Sequence, residues 1–462
     1  MSSALPVHRW QLLCFLVAVA AGLIGIDARA TYGARVSADE PQYLLTAISL
    51  YEDLDLDISD ELAEERFLPF HEIQLNQQTL DLNGQGQRIS PHDPLLPLIL
   101  AVPMGLWGWA GAKATLAVLT GLTALATFTV ATRRFGITPA VAGMTVIAFF
   151  VGAPFAAYGA QVYPAIPAAL CVVVGVGAAT GDVSTRKAIL ALVAIVALPW
   201  LSVKYVPLSA VLAIGMLWQH WCGGAWRAVT SRVVILAVAG LVYAIVHQRV
   251  WGGWTVYASG DHFVGGEFEV VGTNANYVAR TNRLLGLLVD RYFGIAAWAP
   301  AFLLTPAGLT ALVRFRRGPA SDALLVVATV AIGWAVATWV ALTMHGWWWA
   351  GRQIVPVLPL VVVSVGALID RFRVLVWPTV ALGVVGFVNW TWIAIEASSG
   401  RRALIVDHEE TANPLFQTWK HVLPDHRIDG LGDQVLTIVW AVALAGTVLS
   451  VYRGGHVDDR ST

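Results

Sequence analysis

Asp39 and Glu40 are adjacent carboxylates that open a long polar stretch just beyond the first apolar run, Trp10 to Ile26. Two acids at the water-facing mouth of a hydrophobic bundle are costly to place. A carboxylate held there could take a proton from a hydroxyl, and two acids this close disfavour joint ionisation, which would raise one pKa. Pro41 follows and pre-sets a helix N-terminus. Gln42 to Tyr51 then reads as an amphipathic helix on the membrane surface. A purely structural role, N-capping with a favourable helix dipole, fits the same residues. Residue physics alone leaves the two roles level.

The elements that must position these acids are membrane helices. The chain of 462 residues is 57% hydrophobic and 13% charged, whereas a soluble domain carries about 25% charge. The composition therefore predicts an all-α polytopic membrane protein. Windows of about twenty apolar residues give about twelve spans: 10–28, 114–132, 139–158, 163–181, 188–203, 204–219, 232–249, 293–313, 322–343, 353–369, 374–395 and 434–452. The first lacks a small-residue cleavage site before Asp27 and reads as a retained span rather than a signal peptide. Basic residues cluster in short loops at Arg133-Arg134, Arg186-Lys187, Arg227 with Arg232, Arg314 to Arg317, Arg371 with Arg373, and Arg453. Simple alternation puts all of them, and both termini, on the cytoplasmic side. Leu95 to Trp109 would upset this count if it crossed. It is short and punctuated by Pro91, Pro94, Pro97 and Pro103, and proline breaks helical hydrogen bonding, so a juxtamembrane or re-entrant helix is expected. The net charge of −1 and the lack of a basic stripe set nucleic acid aside. Cys14, Cys171 and Cys222 show no metal spacing and predict no structural disulfide.

The expected organisation is a first span at 1–29, an outer loop at 30–113 holding the two acids, and spans two to seven at 114–249. A long outer loop at 250–292, spans eight to eleven at 293–396, an outer loop at 397–433 and a last span with its tail at 434–462 complete it. Function in such a bundle sits where outer loops converge. Among the other acids of the first loop, Asp53, Asp55, Asp57, Asp60, Glu61, Glu64 and Glu65 read as a solvated face. Their spacing lacks the glycine and terminal glutamate of a calcium-binding loop.

A transmembrane helix, an Asp-Glu near its outer end, an aromatic shortly after and a polar loop resemble the polyprenyl-phosphate-dependent glycosyltransferases of the GT-C type. That class includes protein O-mannosyltransferases and the lipid A aminoarabinose transferase. Ser90-Pro91-His92-Asp93-Pro94 is similar to the motif that ends the family's first loop, with His92 where a lysine often stands and Asp93 in place of a proline. Gln161, Tyr163, Pro164 and Pro167 look like the second outer turn, although Ala165 stands where many members carry an acid. Ser202-Val203-Lys204-Tyr205 is similar to a lysine-bearing outer turn. Trp251 to Trp254 with Tyr257, and Asp290 to Gly294, resemble the long outer loop and its re-entry. Trp347-Trp348-Trp349 and Gly351-Arg352, ahead of Pro356 and Pro359, resemble a glycine–arginine–proline signature.

The resemblance implies an enzyme, an inverting hexosyl- or pentosyltransferase. It would move a sugar from a polyprenyl phosphate to a hydroxyl of a glycan, lipid or protein on the outer face of a bacterial inner membrane. Asp39 would be the base, and Glu40 would orient the acceptor or tune Asp39. Lys204 and Arg352 would hold the phosphate, arginine bidentately. Lys204 is one of four lysines, and snorkelling to the surface is its simpler role. Arg352 could equally anchor an aromatic belt. His92, Asp93, Tyr163, Trp254, Tyr257, Trp348 and Trp349 complete the expected substrate contacts. No cofactor is called for, no metal ligand is assigned, and the part of a divalent metal is left open. A lipid-linked substrate transporter or flippase is the alternative, but few mid-helix charges and no internal repeat speak for it. A non-catalytic membrane scaffold is the third reading.

Overall fold

The computed structural model describes residues 5–75, 78, 86–182, 184–256, 276–428 and 430–454. Among these residues the protein is helical, with three isolated β-bridges and no extended strand. Among the described residues six helices are long and apolar enough to cross a membrane: Val7–Ile24, Leu95–Arg133, Trp226–Val250, Ala320–Val340, Arg373–Ser398 and Leu431–Gly454. Shorter apolar helices, among them Pro139–Phe150, Ala165–Ala178 and Pro300–Arg314, fill the space between them. We label the first ten helices α1 (Val7–Ile24), α2 (Glu40–Glu52), α3 (Ser59–Ala63), α4 (Leu95–Arg133), α5 (Pro139–Phe150), α6 (Phe155–Tyr158), α7 (Ala165–Ala178), α8 (Thr185–Leu201), α9 (Val206–Cys222) and α10 (Trp226–Val250).

Small residues let these helices approach closely, as apolar surroundings require. A Cβ on Gly308 would meet the backbone of Val365 at 2.8 Å, so the Thr305–Arg314 helix lies directly against Leu358–Arg371. Buried hydroxyls bond within their own helix: Thr120, Thr123 and Thr127 each donate to the carbonyl four residues back.

Two expectations meet the structure in the segment between α1 and the second half of α4. α4 runs for 39 residues, but Gly108 has φ 62 and ψ −158, outside helical geometry. The backbone therefore breaks there, and Leu95 to Trp107 forms an arm distinct from the helix that follows. The second expectation is corrected. α2 does not lie on the membrane surface as an amphipathic helix, because Glu40 to Ser49 are all buried. The α4 arm covers it: Leu96, Leu100 and Met104 are buried with Leu44, Leu45 and Ile48 in one core, and the Tyr51 ring lies over Gly105. Two polar residues of α2 find partners indoors, Thr46 on the Gln42 carbonyl and Ser49 on Asp55, while the buried Gln42 amide finds none among the described residues.

Two later segments are also tied together. Arg291 donates to the carbonyls of Lys420 and Leu423 and pairs with Asp433 at 3.1 Å. Buried Asp290 accepts from the backbone N–H groups of Tyr292, Phe293 and His426.

Candidate active site

Pro41 starts α2 and leaves Asp39 at its N-cap, but the Asp39 side chain makes no capping hydrogen bond. Its Oδ2 instead accepts from Arg352 Nη2 at 2.6 Å. Arg352 follows Gly351, whose φ of 81 is open to glycine at little cost, and a Cβ there would strike Ile295 at 2.5 Å. That turn aims the guanidinium between two aromatic faces, 4.0 Å from the Tyr163 centroid and 4.8 Å from that of Trp348. Such stacking suits a planar cation. Arg352 Nε is buried and carries no hydrogen bond among the described residues, so the fork keeps a donor in reserve.

Glu40 faces the other way. It is fully buried, and its two oxygens accept from the backbone N–H groups of Ser37 at 3.0 Å and Val162 at 2.9 Å. Burial pushes its carboxyl up to about 7, opposed by the Lys113 charge and these two N–H groups. Lys113 Nζ in turn donates to the carbonyls of Ile26 and Arg35. Glu40 thus clamps the Asp39 loop to the turn that carries Tyr163. It is enclosed by protein and has no open side with which to orient an acceptor, one of the two roles expected for it.

Further groups close round Asp39. Gln78 Nε2 donates to Asp39 Oδ1 at 3.4 Å, and Gln78 Oε1 lies 3.1 Å from His92 Nε2. His92 stacks on Tyr43 with centroids 4.5 Å apart. Lys204 sits in the turn between α8 and α9 and donates to Gln353 Oε1 at 3.1 Å. The carbonyls of Trp347 and Trp349 are held by Ser37 and Tyr163, and by Tyr158, respectively. The structure therefore brings together Asp39, His92, Tyr163, Lys204, Trp348 and Arg352.

Two expected substrate contacts lie elsewhere. Asp93 is buried, and its oxygens are taken by the Val203 N–H at 3.0 Å, Tyr243 at 3.1 Å and His247 at 2.9 Å. It pins the 90–93 segment to α10 and the Lys204 turn and has no face for a ligand. Trp349 is fully buried among Trp298, Trp390 and His408, so it belongs to the core. Trp254 is 66% exposed, and Tyr257 lies outside the described residues. Gln78, Tyr43 and Gln353 escaped the sequence reading. Only Gln353, next to Arg352, carried a hint of its place.

Beside this site the α4 arm, α8 and α10 leave an open apolar groove of about 590 Å³, lined by Pro94, Leu95, Leu98, Val193, Val196 and Trp200 among others. Pro94 follows Asp93 directly, so the groove starts where the site's supporting network ends.

This is a polytopic helical membrane fold with a polar, cation-lined site at the start of α2. Two crystal structures of ArnT from Cupriavidus metallidurans share that fold. The form bound to undecaprenyl phosphate superposes with a TM-score of 0.56 at 16% identity, over 96% of this chain and 73% of that one. The apo form gives 0.50 at 15% identity, over 96% and 77%. Neither a protein-family model nor a curated protein matches the sequence. The fold is therefore ArnT-like.

Proposed function

We propose that this chain is an inverting membrane glycosyltransferase that moves a sugar from a polyprenyl phosphate to a hydroxyl acceptor at the outer face of a bacterial inner membrane. The observation that carries the reading is the Asp39–Arg352 pair, a half-open carboxylate on a buried cation, on the fold of a protein crystallised with undecaprenyl phosphate. The donor's tail takes the apolar groove beside Pro94 and Trp200. Its phosphate takes Arg352 and Lys204. In accepting the phosphate, Arg352 loosens its hold on Asp39 and frees the base at the moment the donor is in place.

The acceptor oxygen then attacks the anomeric carbon from the face opposite the phosphate. The carbon–oxygen bond to phosphate breaks as the new glycosidic bond forms, the hydroxyl proton passes to Asp39, and polyprenyl phosphate leaves with the electron pair. Phosphate is a good leaving group, so no general acid is needed. Arg352 and Lys204 offset the charge that gathers on it.

The test is mass spectrometry of lipids co-purified with wild type and Asp39→Asn, followed by turnover with a mixed polyprenyl-phosphate sugar pool. A bound polyprenyl phosphate, with sugar consumed by wild type and retained by the variant, supports the reading. Absence of the lipid and no difference between the proteins would sink it.

A further inference from the structure

The acidic stretch that follows α2 reads as a solvated face in the sequence, and the structure changes that reading. Asp55 accepts from Ser49 and the Asp57 N–H, and Asp57 from Ser59 and the Arg88 N–H. These two acids hold the loop's own backbone. Asp53, Asp60 and Glu61 form a separate group. One carboxylate oxygen from each lies within 4.8 Å of the others. Two oxygens bound to one calcium ion at ~2.4 Å can be no more than ~4.8 Å apart, a limit that each pair of these oxygens meets.

Glu61 supplies the independent observation. It is 2% exposed, and neither of its carboxylate oxygens has a hydrogen-bond partner among the described residues. The neighbouring base is committed elsewhere: Arg66 pairs with Glu52 at 2.7 Å and Glu64 at 3.6 Å. A buried carboxylate with no donor, set against two further carboxylates, is tolerated only when it holds a proton or when a cation joins the group. Asp53 and Asp60 are exposed, so water can reach the group and complete a coordination shell.

We propose that Asp53, Asp60 and Glu61 bind one divalent cation, calcium in preference to magnesium or zinc, which fastens the end of α2 to α3. Oxygen-only ligands exclude a preference for zinc, which favours nitrogen and sulfur. Three unbridged carboxylates on a surface turn suit the loose geometry of calcium better than the strict octahedron of magnesium. The thirteen residues of α2 place the ion ~20 Å from Asp39 at ~1.5 Å per residue. Its work is to hold the far end of the helix whose N-terminus presents Asp39.

The experiment uses the full-length protein in detergent, stripped with EDTA and titrated with CaCl2 or MgCl2, with thermal unfolding and radiolabelled calcium binding as readouts. Wild type should bind one calcium per chain with a dissociation constant of about 10⁻⁴ to 10⁻³ M, as extracytoplasmic sites do, and unfold at a higher temperature as calcium is added. Magnesium should give a smaller rise. Glu61→Gln should lose the calcium-dependent rise, and Asp60→Asn should weaken binding at least about tenfold. Asp60 is exposed, so its variant gives the answer even where Glu61→Gln fails to fold. No calcium-dependent rise in wild type, or the same rise in wild type and Asp60→Asn, would overturn the proposal.

Discussion

Arg352 Nη2 and Asp39 Oδ2 lie 2.6 Å apart although 313 residues separate them in the chain. The pair joins the segment after α1 to the turn before Leu358–Arg371, and its two members have different exposures, 20% for the Asp39 side chain and 10% for that of Arg352. The cation is enclosed by aromatic faces, while the carboxylate keeps an open side. That asymmetry suits a fixed phosphate anchor beside a base that must meet a second substrate.

Asp39→Asn removes the base and leaves its shape. Turnover should fall by about 10²- to 10⁴-fold, while donor binding persists because Arg352 and Lys204 are untouched. Equilibrium binding of a polyprenyl phosphate beside a turnover assay checks this. Equal loss of binding and turnover would show that Asp39 holds the ligand rather than the proton.

Arg352→Lys keeps the charge and loses the planar fork between Tyr163 and Trp348. A lysine cannot stack on both rings and also reach Asp39 and a phosphate. Donor affinity should drop about tenfold or more, read as a raised KM for the donor. An unchanged KM would remove Arg352 from phosphate binding.

Glu40 gives a pH signature. Its folded carboxyl sits at about 7 against an ordinary value of 4.5, so the folded state holds the proton more tightly than the unfolded one. The stability this lends is complete below about 4.5 and is lost as pH rises to about 7, a span worth roughly 3 kcal/mol. Glu40→Gln does not titrate, and it turns an amide NH2 toward one of two backbone donors. The stability gap between wild type and Glu40→Gln should therefore shrink across that window in thermal unfolding. Parallel curves from pH 4.5 to 7 would refute the assignment.

Asp93→Ala should cost stability rather than donor affinity. It strips partners from the Val203 N–H, Tyr243 and His247 together, a loss of about 3 kcal/mol. Thermal unfolding with a donor-binding assay separates the two. A stable variant with weakened donor binding would restore Asp93 to the substrate-contact set.

Lys204→Met keeps the apolar stem and deletes the charge. Donor affinity should fall about tenfold, and Lys204→Arg should recover part of it. Failure of both variants to change affinity would leave Lys204 as a snorkelling residue.

Much of this molecule was legible before folding. Apolar runs gave the helical membrane class, because a segment's hydrophobicity is a property of its own residues. Asp39, Arg352, Lys204, His92 and Tyr163 were grouped only through the resemblance to polyprenyl-phosphate glycosyltransferases, and the structure sets them at one place. The fate of α2 was not legible. Its pattern suits a membrane surface, and only the α4 arm packing over Leu44 and Ile48 buries it. Asp93 and Trp349 show the same limit. Each carries a residue type that suits a sugar or phosphate site, and each is enclosed by partners more than one hundred residues away or from separate segments.

The sequence by itself determined that the chain is a bundle of membrane helices with acids and cations set in the loops between them. Burial energy is summed along the chain, and local composition is enough to read it. The resemblance had already named Asp39 as the base; tertiary structure decided how differently the two adjacent acids are held. Glu40 is drawn inward by the N–H groups of Ser37 and Val162, and Asp39 is drawn to Arg352. Neighbours one residue apart differ only in the direction they leave the backbone, and what they meet there is fixed by segments brought together from across the chain.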